Sequence, residues 1–203
     1  MIRKFKYTAE DVDCAYCIHS IRKHCKLEAK CPFVAERIEA GVLSYEEVLC
    51  TTFPRAEAMF RARIRFLADN YTGSFWNDRY HYNRFEALCS MTTIRRCENN
   101  NPLYAALYLL SANEEIFKRS MSCFSTKRVD LANIQLGGIS PESYGIAQAA
   151  KTLLNRETKI TVEDLQDGEI VDTDTFRLII NALLIARYGA GHYPSQILNW
   201  RLP

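Results

Sequence analysis

Long apolar runs are missing from this 203-residue chain: no stretch approaches the ~18 residues that a membrane-crossing helix needs. The opening residues, Met1 to Asp13, have a basic flank with no apolar segment behind it, so a secretory leader is not expected. Charge of one sign is missing too. Lys+Arg 26 against Asp+Glu 24 leaves +2, too little for a global field toward nucleic acid or an anionic membrane. Glycine is scarce, at 8 residues. Neither Gly137-Gly138 nor Gly189-Ala190-Gly191 has the G-x-x-x-x-G-K-[ST] pattern of a phosphate loop. His81 and His192 come with no Ser/His/Asp order, H-E-x-x-H helix or paired carboxylates. Asp167, Asp172 and Asp174 are loosely spaced like metal carboxylates, but acids at helix starts explain two of them without a metal. These absences leave a non-enzymatic, cytoplasmic binding protein as the expectation. An enzyme would need a deep pocket that brings a histidine to a carboxylate.

Cysteine is abundant by contrast. Four of the eight fall as C-x2-C-x7-C-x5-C at Cys14, Cys17, Cys25 and Cys31. In a reducing compartment such spacing points to metal before disulfides. The first pair is a chelate, four thiolates fill the tetrahedral shell of a structural zinc ion, and a filled shell leaves no position for a reactive water. His19 or His24 can replace one cysteine in that shell, an iron–sulfur cluster takes the same ligands, and reduced cysteines packed as small hydrophobes need no metal. Cys50, Cys89, Cys97 and Cys123 sit on apolar helical stretches and are expected in the core.

Helix signals fill most of the remainder, and 48% hydrophobic against 25% charged residues allows a sizeable core. Pro32 is expected to open a helix ending at Gly41, and Ser44-Tyr45-Glu46-Glu47 reads as a capping box. Pro54 starts a helix to Asp69 with Phe60, Ile64 and Leu67 on one face. Further helices are predicted over about 82–97, 103–110, 113–124, 140–155, from Thr161, and 176–188. Ile2 to Tyr7 alternates weakly, like a strand. The fold class is therefore mainly α: a small zinc-knuckle module over 1–52, then a multi-helix domain over 53–203.

Basic charge is concentrated in residues 51–100, which hold eight arginines, no lysine and five acids. Arg55, Arg61, Arg63 and Arg65 are placed on one helix, and Trp76 and Arg79 follow in an aromatic stretch. Arginines grip phosphates and aromatics stack bases, so these residues are candidate contacts for a nucleic acid. They suit an acidic protein surface equally well, and a solvated helix face followed by core aromatics is the plainer reading.

Tyr7-Thr8-Ala9-Glu10-Asp11, the C-x2-C pair, Cys31-Pro32 and Glu36-Arg37-Ile38-Glu39-Ala40-Gly41 together resemble small accessory proteins of conjugative and phage-like mobile elements in Firmicutes. Leu107 to Asn113, Gly138 to Tyr144 and Thr175 to Leu184 resemble helical proteins of the same elements. The resemblance transfers no catalytic residue. It implies a protein or nucleoprotein complex of the host as partner, with inhibition of a nucleic-acid-targeting defence such as CRISPR-Cas as one such function, and no membrane. The alternative is a zinc-containing factor that binds DNA or RNA directly.

Overall fold

A computed structural model of the chain describes residues 7–21, 24–25, 27, 31–71, 75–91, 100–125 and 129–189, with only the backbone of His24. Among these residues the architecture is mainly helical, and the only strands are two residues long. The contacts group the chain into two compact units, one holding the described residues up to 71 and the other those from 75 to 189. The helix that begins after Pro54, which the sequence suggested would open the second domain, groups with the N-terminal unit.

In the first unit, two 3-10 turns (Glu10–Val12 and Cys14–Tyr16) lead into an antiparallel pair, β1 (Ser20–Ile21) and β2 (His24–Cys25), in register Ser20 to Cys25. Three helices follow: α1 (Val34–Glu39), α2 (Tyr45–Thr52) and α3 (Ala58–Asp69). Pro32 lies two residues ahead of α1, just before its N-cap Phe33, rather than inside it. Gly41 closes that helix's exit at φ +71°, a conformation that L side chains resist. The capping box at α2 forms as expected. Ser44 Oγ accepts from the Glu47 N–H at 3.2 Å, and Glu47 Oε2 accepts from the Ser44 N–H at 2.7 Å. Ser44→Ala is expected to cost about 1 kcal/mol, read as a lower urea midpoint at unchanged slope.

Burial at i, i+3, i+4 and i+7 sets the inner face of α2: Tyr45, Val48, Leu49 and Thr52. Cys50 falls on the opposite side and is exposed, against the expectation that it is core. Phe60, Ile64 and Leu67 form the inner face of α3, as their spacing predicts. That helix starts four residues after Pro54. The Ala56 N–H bonds the Phe53 carbonyl at 3.3 Å across a turn, and the turn lets Phe53 meet Phe60 edge-on at 5.6 Å. Arg55 therefore stands in the turn and not on the helix. Tyr45 stacks on Tyr71 at 4.0 Å to close this core.

The second unit is built round α5 (Asn101–Leu110), in which every residue from Ala105 to Leu110 is buried. It packs mainly on α7 (Pro141–Asn155) and α9 (Thr173–Tyr188), with α4 (His81–Met91), α6 (Glu114–Ser120) and α8 (Val162–Gln166) completing the set. Small buried residues on α5 and α7 (Ala105, Ala106, Ala147, Ala149 and Ala150) let the two backbones approach. Side-chain caps open most of these helices: Asn100, Asn113, Ser140, Thr161 and Asp172 each accept the backbone N–H three residues on. α9 is buried nearly all round and ends at Gly189, φ +98°. The expected strand over residues 2–7 and the helix beyond Met91 fall largely outside the described residues. Among the described residues no helix is long and apolar enough to cross a membrane.

Candidate functional site

Three of the four N-terminal cysteines line one cavity. Cys14, Cys17 and Cys31 border a space of about 330 Å³ together with Tyr16, Phe33, Glu36 and Arg37. Asp13 caps the 3-10 turn that carries Cys14, accepting the Ala15 N–H at 2.8 Å. The Cys17 N–H bonds the Cys14 carbonyl at 3.3 Å, and the Ser20 N–H bonds the Cys17 carbonyl at 2.9 Å. These two contacts turn the C-x2-C loop into β1. Cys25 lies across the hairpin, where its Sγ accepts the Leu27 N–H at 3.4 Å.

All four thiols are free. As placed, the described residues contain no group of three or more His, Cys, Asp or Glu side chains set to hold a metal. The zinc-knuckle geometry expected from the spacing is not seen among the described residues, and three of its four expected ligands border one space. His19 lies near Phe33, ring to ring at 6.3 Å, and the side chain of His24 is outside the described residues.

The candidate contact residues fall in both units. Arg61, Arg63 and Arg65 are on α3, whereas Trp76 and Arg79 belong to the second unit. Arg61 and Arg65 share the outer side of α3, and the Arg61 guanidinium also bonds the Ala56 carbonyl at 2.7 Å, bracing the turn. Between them and the half-buried Arg63 runs a second apolar stripe at i, i+3, i+7: Met59, Ala62 and Phe66. Met59 is 64% and Phe66 54% exposed. Sequence reading found the inner stripe of α3 and overlooked this outer one, although both are at helical spacing.

Trp76 packs among rings. His81, Tyr82, Phe75, Phe85 and Tyr108 lie at centroid distances of 4.9–5.6 Å from it. Arg79 is exposed, its guanidinium 4.5 Å from the centre of the Tyr80 ring.

His81 is fully buried in this cluster. Its Nδ1 accepts the Asn77 N–H at 2.9 Å, which leaves Nε2 to donate to the Tyr108 carbonyl at 2.7 Å. Burial pushes its pKa down to about 3, outweighing the carbonyl partner that favours the charged form. With both nitrogens engaged and the ring neutral, His81 is a packing and hydrogen-bonding residue at neutral pH. His192 and Cys97 lie outside the described residues. Cys89 and Cys123 are buried as expected, and burial raises the Cys123 thiol above its ordinary value. Asp172 is the N-cap of α9, bonding the Thr175 N–H at 2.9 Å, while Asp167 accepts the Glu169 N–H at 2.8 Å. Asp174 faces Arg177 at 3.7 Å. Each of these three acids thus has a local structural partner.

Among known proteins, no family model, no curated protein and no solved structure matches this chain.

Proposed function

We propose that the chain works by binding a macromolecular partner through the outer face of α3, and not by catalysis. The observation that carries this reading is the Met59/Ala62/Phe66 stripe, left open on a helix whose other stripe is already buried. Apolar side chains set among arginines are the composition that interface centres favour. With Asp69 the only acid within α3, the face suits a partner presenting acidic groups round an apolar recess. Tyr16 and Ile18, 85% and 86% exposed on either side of Cys17, offer further apolar contact on the same unit. The partner class we favour is a host protein or nucleoprotein complex, with nucleic-acid-targeting defence complexes of the CRISPR-Cas kind the first to test.

The test is capture from host cells followed by reassembly with the purified partner. Phe66→Ala and the pair Arg61→Glu/Arg65→Glu are each expected to weaken binding roughly tenfold or more, since central apolar and arginine anchors carry ~1–3 kcal/mol or above. Equal affinity in all of these variants would remove α3 as the surface. Direct binding to bare DNA or RNA would show as affinity that falls steeply with salt, and would favour the nucleic-acid factor instead.

A further inference from the structure

The described residues between 7 and 31 contain not one buried side chain. They nonetheless form two 3-10 turns and a hairpin of two-residue strands. A hairpin of this size is marginal in water even with an apolar face to bury, and here Tyr16 and Ile18, the large apolar residues nearest the chelate pair, point outward. Among the described residues of this segment, no hydrophobic core accounts for its order.

The geometry points to a zinc ion bound by Cys14, Cys17, Cys25 and Cys31. Three of these thiols already border one cavity, and the fourth sits on the strand paired with β1. Two details fit a charged thiolate centre. The Leu27 N–H is aimed at Cys25 Sγ. Arg37 borders the same cavity, and its Nε is buried without a hydrogen-bond partner. Four thiolates on Zn²⁺ carry a net charge of −2, and a guanidinium N–H beside them supplies both a counter-charge and a donor to sulfur. Since the thiols are not yet grouped for a metal, binding draws them together. Each bound thiol loses its proton to solvent, and metal affinity becomes folding free energy for the segment. The ion is structural: four cysteine ligands leave it no open position. This inference stands independently of the α3 surface.

The full-length chain, purified from ordinary medium, is assayed for zinc and iron. About one zinc per chain is expected. Cobalt(II) added to metal-free protein should give the visible bands of a tetrahedral thiolate site. Cys14→Ser and Cys31→Ser should each weaken zinc binding by more than the roughly 10–100-fold that losing an outer-shell partner costs, whereas Cys50→Ser, on the exposed side of α2, should leave it unchanged. A second measurement avoids the variants. Chelation of the wild-type chain is expected to open residues 13–31 to protease while helix content by circular dichroism is kept. Protein purified without zinc, iron with sulfide in its place, Cys14→Ser retaining zinc like the parent, or cleavage unaffected by chelator would each overturn the proposal.

Discussion

Lowering the pH from 7 to 5 is expected to remove about 2 kcal/mol of stability through His81 alone. The ring's ordinary pKa of 6.5 falls to about 3 in the folded chain. Between those values the unfolded chain binds a proton that the folded chain refuses, so stability is full above pH 6.5 and drains away as pH drops toward 3. At pH 5 the gap is about 1.5 pH units, at about 1.36 kcal/mol each. The charged neighbours do not reverse the sign. Arg84 and Arg177 oppose a protonated ring, and Asp78 favours it only weakly against the dominant cost of burial. Asp78 itself ends below the usual carboxylate range, because the Arg84 and backbone hydrogen bonds together outweigh its partial burial. Its own contribution is lost in acid as well, at lower pH. Urea unfolding at pH 7, 6 and 5 measures the slope. His81→Phe, which cannot titrate, should be less stable at pH 7, because it strands the Asn77 N–H, and should lose most of the slope over this range. An unchanged slope in that variant would show that the acid sensitivity lies elsewhere.

His81 also shows where the sequence stops being informative. One of its partners is the Asn77 N–H four residues away, but the other is a carbonyl 27 residues away that no local pattern marks. Local signals fared better. Ser44, Asn113, Ser140, Thr161 and Asp172 mark their helix starts with side-chain chemistry that acts over three residues, and all of them hold; Asn100, in a run that reads as the end of the preceding helix, caps α5. Period alone located the inner face of α3 but placed Cys50 inside, because an apolar neighbourhood was read in place of its phase against Val48 and Leu49. A proline that can open a helix suggests helix at Arg55, but the turn that brings Phe53 to Phe60 holds Arg55 instead. For the cysteines, spacing picks out four residues of which three border one cavity, but spacing does not close a shell. α5 and the two residues after it, Ser111 and Ala112, end with no glycine and no basic residue, so the last carbonyls there need donors from elsewhere.

Arg84 is the chief of those donors, and Arg84→Met is expected to destabilise the protein by about 3 kcal/mol. Its Nε bonds the Ser111 carbonyl at 2.7 Å, and a terminal nitrogen bonds the Ala112 carbonyl at 2.9 Å and Asp78 at 2.8 Å. A positive fork at a helix C-terminus meets both the unpaired carbonyls and the negative end of the dipole. Asn77 Nδ2 assists at Ala112, 3.1 Å away, and Ser111 Oγ joins His81 on the Tyr108 carbonyl at 2.9 Å. Deeper in, Tyr108 Oη donates to the Phe75 carbonyl and accepts from Asn181 Nδ2 at 3.3 Å, which ties α9 to the same knot. The ion pair with Asp78 is the smaller part of what Arg84 does. The arginine side chain is 12% exposed but the aspartate 41%, and solvent at the carboxylate screens the attraction. Asp78→Asn should therefore cost less than about 1 kcal/mol, while methionine at 84 keeps the stem's packing yet leaves the Ser111 carbonyl without its guanidinium. Arg84→Lys discriminates further: it keeps the charge and loses the fork, so it should recover only part of the loss. If Asp78→Asn proved as damaging as Arg84→Met, the pair and not the carbonyl clamp would be holding α4 to the end of α5.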